Sequence, residues 1–510
     1  MEKDKEGGEG PGAGEEGLNP RKLARLIYPE YRFGVTDPDY ALKLVELGVG
    51  GFCFYGGKAG EVLEASRALK AASETPLLIA SDYENGPGQW VAGATELPSN
   101  MAIGASGSEA LARRKGEITA LEAKALGVDW VFAPVVDLAS RPDNPIVNVR
   151  SFGADPELVS RLAGAYLSGM RSQGALACLK HFPGHGGTSA DSHLELPVLE
   201  GGLQDLEDGA LRPFAALAAQ ADSIMVGHLA IPGLDEAAPA SFSKEIIGNL
   251  LRRRLRYAGL VLTDALNMKA ISDEGRAGVK AFLAGADVLL YPEDPFALHE
   301  ALTRGANDGL ITGAAVELAL ARQDLLVRKL SPFRAAPPPP ETAGCREHSA
   351  FSAEAAPACL AWARGEGNFR VKAGDTVGYF EPLTRPEAWR GRAFADELLR
   401  LGVRVEPYRP GCGMRLAAGV FSRPRAGSGA INLSPEERYA LEAAVAGSAG
   451  SVAVAFGSPF VLAGLSPAPA AGLCAFCALK EFQAAAARVL AGTGEAKGRL
   501  PVELSVTEKK

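Results

Sequence analysis

Short apolar runs, most of them ending on a polar or ionisable residue, recur through the N-terminal part of this chain and leave few folds open to it. They are GFCFY from Gly51, PLLIAS from Pro76, WVFAPVV from Trp130, ALACL from Ala175, SIMVG from Ser223, LVLT from Leu260 and ADVLLY from Ala286. Amphipathic helical stretches separate them, and strands alternating with helices build a parallel sheet with crossover helices. The runs exit into Asp82, Asp137, Lys180 with His181, His228 and Asp264. In a closed parallel barrel all strands point the same way, so such exits share one cleft. An open doubly wound sheet has the same alternation but gathers its polar exits at a switch point. Here the exits are spread over the whole N-terminal part, so the expected fold is an α/β (β/α)8 TIM-type barrel with a site at its C-terminal face.

A proline run from Pro337 to Pro340 cannot continue a helix and favours an extended spacer. The expected organisation is a barrel over residues 19–332, a Pro-rich linker over 333–368 and a smaller C-terminal α/β layered domain over 369–510. In that last part DTVGYF and VAVAF read as strands, and RAFADELLRLG as a helix ending at Gly402. Ser434-Pro435-Glu436-Glu437 is a capping box with proline at the first helical position, and EFQAAAARVL reads as a further helix. This half shows few convergent ionisable groups, so a packing or cleft-completing role is expected. Residues 1–18 are rich in charge and glycine where a secretory signal needs a continuous apolar region, so a flexible tail and a cytoplasmic location are expected.

Composition narrows the function. With 47% hydrophobic residues the 510-residue chain can bury large cores, and 53 basic against 61 acidic residues leave a formal net charge of −8. That sign disfavours a broad grip on nucleic acid or on an anionic membrane surface. Seven cysteines scattered along the chain are poor material for a disulfide framework. Cys474 and Cys477 lie in LCAFCALKEF, which reads as a helix entering a core with buried structural thiols. From Val452 to Leu479 there is no charged residue, but Gly457, Pro459, Gly464, Pro467, Pro469 and Gly472 cut the stretch into pieces too short to span a membrane.

The chemistry concentrates between Lys180 and His193, in KHFPGHGGTSADSH. A glycine-rich loop with three histidines, a lysine and an aspartate after an apolar strand is not what a core requires. Three readings compete. A metal site would use His181, His185, His193 and Asp191. A phosphate cradle would use the glycines, although the Walker spacing is absent. The third is acid/base catalysis, with Asp191 holding the His193 imidazole in one tautomer and raising its basicity.

This stretch resembles the signature of the β-N-acetylglucosaminidases of glycoside hydrolase family 3: Lys-His-Phe/Ile-Pro-Gly-His/Asp-Gly, four variable residues, then Asp-Ser/Thr-His. NVRSFGADPELV from Asn148 is similar to the family's Arg-Ser-Phe-Gly segment, and LVLTDALNMKA from Leu260 to the strand bearing its nucleophile. GRLPVEL near the C-terminus is similar to the end of the family's second domain. The resemblance runs from about Asn19 onward, more loosely after the linker.

The resemblance implies Asp264 as nucleophile, His193 as general acid/base and Asp191 as its partner, with Asp82, Arg150, Lys180 and His181 binding the sugar. No cofactor and no metal are expected. Taken singly, Asp264 could cap a helix, Asp191 could be a turn residue and Arg150 a surface charge. His185 and His228 are expected to be structural hydrogen-bonding histidines near the cleft. Where relatives read Asp-Gln-Glu-Gly-Gly-Arg and add a further arginine, this chain reads Asp82-Tyr83-Glu84-Asn85-Gly86-Pro87 and continues to Gln89 and Trp90. Both arginines are missing, and an indole can stack on a sugar but cannot replace a guanidinium's forked donors. The implied activity is a retaining exo-β-N-acetylglucosaminidase acting on small glycans, peptidoglycan fragments among them. A glycoside phosphorylase using the same residues and an inactive carbohydrate-binding sensor are the alternatives. The expected partner is a small glycan, with no nucleic acid and no membrane.

Overall fold

The computed structural model describes residues 18–190, 194–268, 274–382, 390–422 and 431–504. Its N-terminal part is the expected barrel. One sheet runs through Glu30–Arg32, Gly51–Tyr55, Leu78–Ser81, Trp130–Val131, Leu176–Phe182, Ser223–Val226 and Leu260–Thr263, every neighbouring pair parallel. Leu289–Leu290 then pairs in parallel with Ile27–Tyr28, and Thr263 donates to the Val288 carbonyl at 3.1 Å, which closes the ring.

The period of two along each strand sorts the core into two shells. Tyr28, Cys53, Leu78, Ala80, Trp130, Phe132, Leu176, Cys178, Leu260, Leu262 and Val288 form one cluster inside the barrel. Their alternates, including Phe52, Phe54, Ile79, Val131, Ala177, Ile224 and Val261, pack outward against the helices. Strands buried on both faces read as continuous apolar runs, which is why these were visible in the sequence. The run at Trp130 forms only two ladder residues, because the Ala133 N–H turns back onto the Val131 carbonyl at 2.9 Å ahead of Pro134, and bridging resumes at Val135 against Lys180.

The second sheet has the order Ala361–Arg364, Ala471–Cys474, Ser451–Phe456, Leu416–Phe421, Thr376–Phe380 and Arg404–Pro407, with only the first strand antiparallel. Helices Ala393–Arg400, Pro435–Ala446 and Lys480–Leu490 accompany it, and the Ser434 capping box is present. Within the stretch 333–368 the proline run occupies the connection after helix Gly313–Arg334. Helix Arg346–Cys359 and strand Ala361–Arg364 follow inside the same stretch. LCAFCALKEF differs from the helix expected of it. Cys474 is a strand residue paired with Ala361 and Ala455, Phe476 turns the chain at φ +61°, and the helix starts only at Lys480. No helix among the described residues is long and apolar enough to cross a membrane.

The two sheets are stitched together at the barrel's C-terminal face. Ser99 caps helix Asn100–Ser106 through Ala102 N–H and donates its hydroxyl to the Phe476 carbonyl at 3.0 Å. Arg499 N–H donates to the Ala105 carbonyl, and Asn432 Nδ2 to the Pro142 carbonyl, both at 2.9 Å. Buried Glu122 accepts from Thr95 N–H and Oγ1 and pairs with His348 Nδ1 at 2.8 Å.

Candidate active site

Of the strand exits, Asp82, Lys180, His181 and Asp264 line one cleft of about 1420 Å³ together with Arg150, whereas Asp137 and His228 are fully buried and do not line it. Arg390, Phe456, Phe476 and Leu479 of the second sheet's layer close it from the other side. That matches the cleft-completing role expected of the C-terminal half.

The floor is a line of alternating charge. Lys180, 2% exposed on its strand, places Nζ 2.5 Å from Asp82 and 2.7 Å from Glu84. Glu84 in turn receives the Arg150 guanidinium in a two-point contact, Nε at 2.9 Å and Nη2 at 2.7 Å. Burial opposes ionisation of Glu84, yet the charges of Arg150 and Lys180 hold its carboxyl well below the usual carboxylate range. Lys180 and Arg150 also lose hydration on burial and are nevertheless held above their ordinary values, Lys180 by Asp82 and Glu84 and Arg150 by Glu84. Asp82 takes a further hydrogen bond from the Tyr55 hydroxyl, which lies 2.6 Å from the hydroxyl of Tyr291. Tyr55 and Tyr291 stand at the ends of their strand regions, so these exits are polar as well.

Asp137, wholly buried, organises the histidine-bearing loop. It accepts from the backbone N–H of His181 and of His185, the latter at 2.7 Å, and lies 2.7 Å from His181 Nδ1. Burial raises the Asp137 carboxyl, but the facing histidines hold it below its ordinary value, so it is the acceptor and His181 Nδ1 the donor. The other ring nitrogen of His181 is then left to serve the cleft. His185 sits deeper: Nδ1 meets Thr188 Oγ1 at 2.9 Å, Nε2 is buried without a partner among the described residues, and burial pushes its pKa down to about 4. Asn144 ties the loop down, donating Nδ2 to the carbonyls of His185 and Thr188 and accepting Ile146 and Val147 N–H at Oδ1. At Gly186 a Cβ would collide with the Leu138 carbonyl oxygen, so the loop needs glycine there.

Asp264 follows strand Leu260–Thr263, with its N–H bonded to the Val226 carbonyl at 2.9 Å and its Oδ1 accepting Ala265 N–H at 2.8 Å. His228 is fully buried and holds the next residue, its Nε2 3.1 Å from the Ala265 carbonyl and its Nδ1 2.6 Å from Ser241 Oγ. Both His185 and His228 therefore make structural hydrogen bonds near the cleft. The structure brings Asp82, Arg150, Lys180, His181 and Asp264 together; Asp191 and His193 lie outside the described residues. Among the described residues no three His, Cys, Asp or Glu side chains are grouped to hold a metal ion. Glu84, Tyr55, Tyr291 and Asn144 carry much of this geometry and were not singled out as site residues by sequence reasoning, whereas Asp137 stood among the strand exits but without its role of organising the loop.

Asp264, at one strand exit, thus lines the same cleft as the charge-paired Asp82, Glu84, Arg150 and Lys180 at the C-terminal face of the barrel, where enzymes of this fold place their chemistry. Residues 43–324 match the family model described as the glycosyl hydrolase family 3 N terminal domain, and the chain belongs to that family. It is a glycoside hydrolase. Among its relatives, the β-N-acetylglucosaminidase/β-glucosidase of Cellulomonas fimi is 30% identical over 407 residues, covering 74% of this chain and 72% of that protein. The solved β-glucoside phosphorylase BglX superposes with a TM-score of 0.86 at 26% identity, covering 95% of this chain and 93% of that one. The family 3 β-N-acetylglucosaminidase from Paenibacillus sp. str. FPU-7 does so with a TM-score of 0.83 at 27% identity, covering 96% and 99%.

Proposed function

We propose that the protein is a retaining exo-β-N-acetylglucosaminidase that removes terminal N-acetylglucosamine from small glycans, peptidoglycan fragments being the natural class. The observation that carries this reading is Asp264 lining one cleft with Asp82, Arg150, Lys180 and His181. An Asp264 Oδ attacks the anomeric carbon while the bond to the leaving oxygen breaks, and His193 supplies the proton that oxygen needs. His193, then neutral, takes a proton from water, whose oxygen attacks the anomeric carbon and frees Asp264. An imidazole with an ordinary pKa of about 6.5 serves both half-reactions near neutral pH, and Asp191 stabilises its cationic form. Lys180, Asp82, Arg150 and His181 hold the glycone, and contacts that tighten at the transition state contribute to rate. The reading draws support from the Cellulomonas and Paenibacillus relatives. The test is release of β-configured sugar from a chromogenic N-acetylglucosaminide and its loss in Asp264→Asn. Inactivity of the wild-type protein on every hexosaminide offered removes the claim.

A second reading keeps the glycosyl-aspartate and lets phosphate, not water, attack it. It is favoured by the similarity to a β-glucoside phosphorylase over nearly the whole chain. A histidine acid/base, unlike a carboxylate, does not repel an incoming anion. Turnover measured with and without phosphate, with the product identified by mass, separates the two: sugar 1-phosphate marks the phosphorylase and free sugar the hydrolase.

A further inference from the structure

Tyr55 is the hub of a wall that the alternating-charge floor does not include. Its hydroxyl bonds Asp82 and lies 2.6 Å from Tyr291, while its ring is engaged on two further sides. The Arg32 guanidinium lies over the ring face, 5.2 Å from the centroid. The Trp90 indole meets the ring edge at 4.9 Å between centroids and donates Nε1 to the Asp82 carbonyl oxygen at 3.0 Å. Arg32 forms an ion pair with Glu30, and Glu30, Arg32, Tyr55 and Trp90 all line the cleft. A third of Trp90 and about half of the Arg32 side chain remain open, 36% and 47%.

Two properties of this wall select a ligand. A guanidinium carries five N–H donors in a fixed fork, and stacking on Tyr55 limits its freedom, so few rotamers are lost when it grips a hydroxyl. Its charge is balanced by Glu30, so the wall favours neutral hydroxyls over a sugar carboxylate. The indole offers an apolar plane beside the same position.

We propose that Arg32 and Trp90, assembled on Tyr55, determine which glycone the cleft accepts, by gripping the edge of a neutral pyranoside that Asp82 also holds. Arg32 hydrogen-bonds ring hydroxyls remote from the anomeric carbon, and Trp90 packs on the sugar's C–H face. In this way a guanidinium from the first barrel strand region supplies forked donors that the Asp82–Trp90 segment lacks. The proposal rests on the glycosidase reading of the same cleft.

The experiment uses 4-nitrophenyl β-glycosides that differ singly at C-2, C-4 and C-6, with wild type, Arg32→Met, Arg32→Lys and Trp90→Ala, and measures direct binding of free N-acetylglucosamine alongside. Arg32→Met and Trp90→Ala are each expected to raise KM for the preferred glycoside roughly tenfold, with kcat within a few-fold, as loss of one charged or stacking contact implies. Discrimination at C-4 and C-6 should collapse while discrimination at C-2 persists, and Arg32→Lys should recover only part of the loss. Unchanged KM and unchanged C-4 and C-6 discrimination in both variants overturn the proposal even though the enzyme turns over. A fall in kcat at constant KM overturns it too, by placing the two residues in the chemistry. Wild-type protein that neither binds the sugar nor cleaves any glycoside removes the glycosidase reading, and this proposal with it.

Discussion

Replacing Glu84 by glutamine tests the alternating floor most directly. In the wild-type protein Lys180 and Arg150 share two carboxylates, Asp82 and Glu84, and the Glu84 side chain is 5% exposed. Glutamine keeps the shape and one acceptor but turns an NH2 group toward a cation, leaving two buried positive charges against the single charge of Asp82. Breaking a buried pair on one side costs about 3–5 kcal/mol, because the remaining charge stays desolvated. At a denaturant slope of roughly 3 kcal/mol per molar, the urea midpoint of the barrel should fall by about 1–1.7 M at neutral pH. The pH dependence fixes the cause. The folded-state pKa of Glu84 is depressed by Arg150 and Lys180, so its contribution is fully present above the unfolded value of about 4.3. It is lost as pH falls below that value toward the depressed folded one. The gap between wild type and Glu84→Gln should therefore be widest near neutrality and close in acid. A gap near zero at neutral pH, or one that does not change on acidification, would mean that Glu84 is neutral in the fold and that the floor does not alternate in charge.

Two further predictions concern groups behind the cleft. Lys115, fully buried, donates to Asn100 Oδ1 at 2.6 Å, and Asn100 donates to the Arg150 carbonyl at 2.8 Å; burial lowers the lysine to about 7. The unfolded chain therefore binds a proton that the folded one releases between about pH 7 and the free lysine value of about 10.4, so wild type should gain stability over Lys115→Met as pH rises through that window. Parallel denaturation curves for the two proteins across it would refute the assignment. His185, held neutral by burial, should show no ring protonation by NMR until about pH 4. Its contribution to stability should be present above the free histidine value of about 6.5 and decline below it. A ring that titrates near 6.5 in the folded protein would show that its pocket is wet.

How much of this could be read from the sequence depended on whether a residue's surroundings are encoded locally. Parallel strands buried on both faces leave an unbroken apolar run, and Asp82, Asp137, Lys180 and Asp264 were visible because each interrupts or ends one. Tyr55 and Tyr291 end two of the same runs, GFCFY and ADVLLY, yet an aromatic ring at a strand end reads as core filling. Only closure of the ring brings their hydroxyls to 2.6 Å. The first barrel strands stayed hidden for the opposite reason: Pro29 splits them, and Glu30 and Arg32 make the second piece a short alternation instead of an unbroken apolar run.

The Asp82–Trp90 segment shows where local reading runs out. From sequence, the missing arginines stand out as a loss of sugar-binding donors, and nothing marks Glu84 as the group between two cations. In the fold the same segment bends through the Pro87–Gln89 turn, sends Glu84 to Arg150 and Lys180, and brings Trp90 against Tyr55. Arg32, some fifty residues earlier in the chain, then lies over that same tyrosine. Donor groups in a barrel cleft are pooled from all the strand exits, so a deficit in one loop can be offset from a neighbouring strand without any trace in the local motif. Comparing motifs loop by loop therefore underestimates what such a cleft can bind, and the gap between the two is largest where strands distant in sequence are adjacent around the ring.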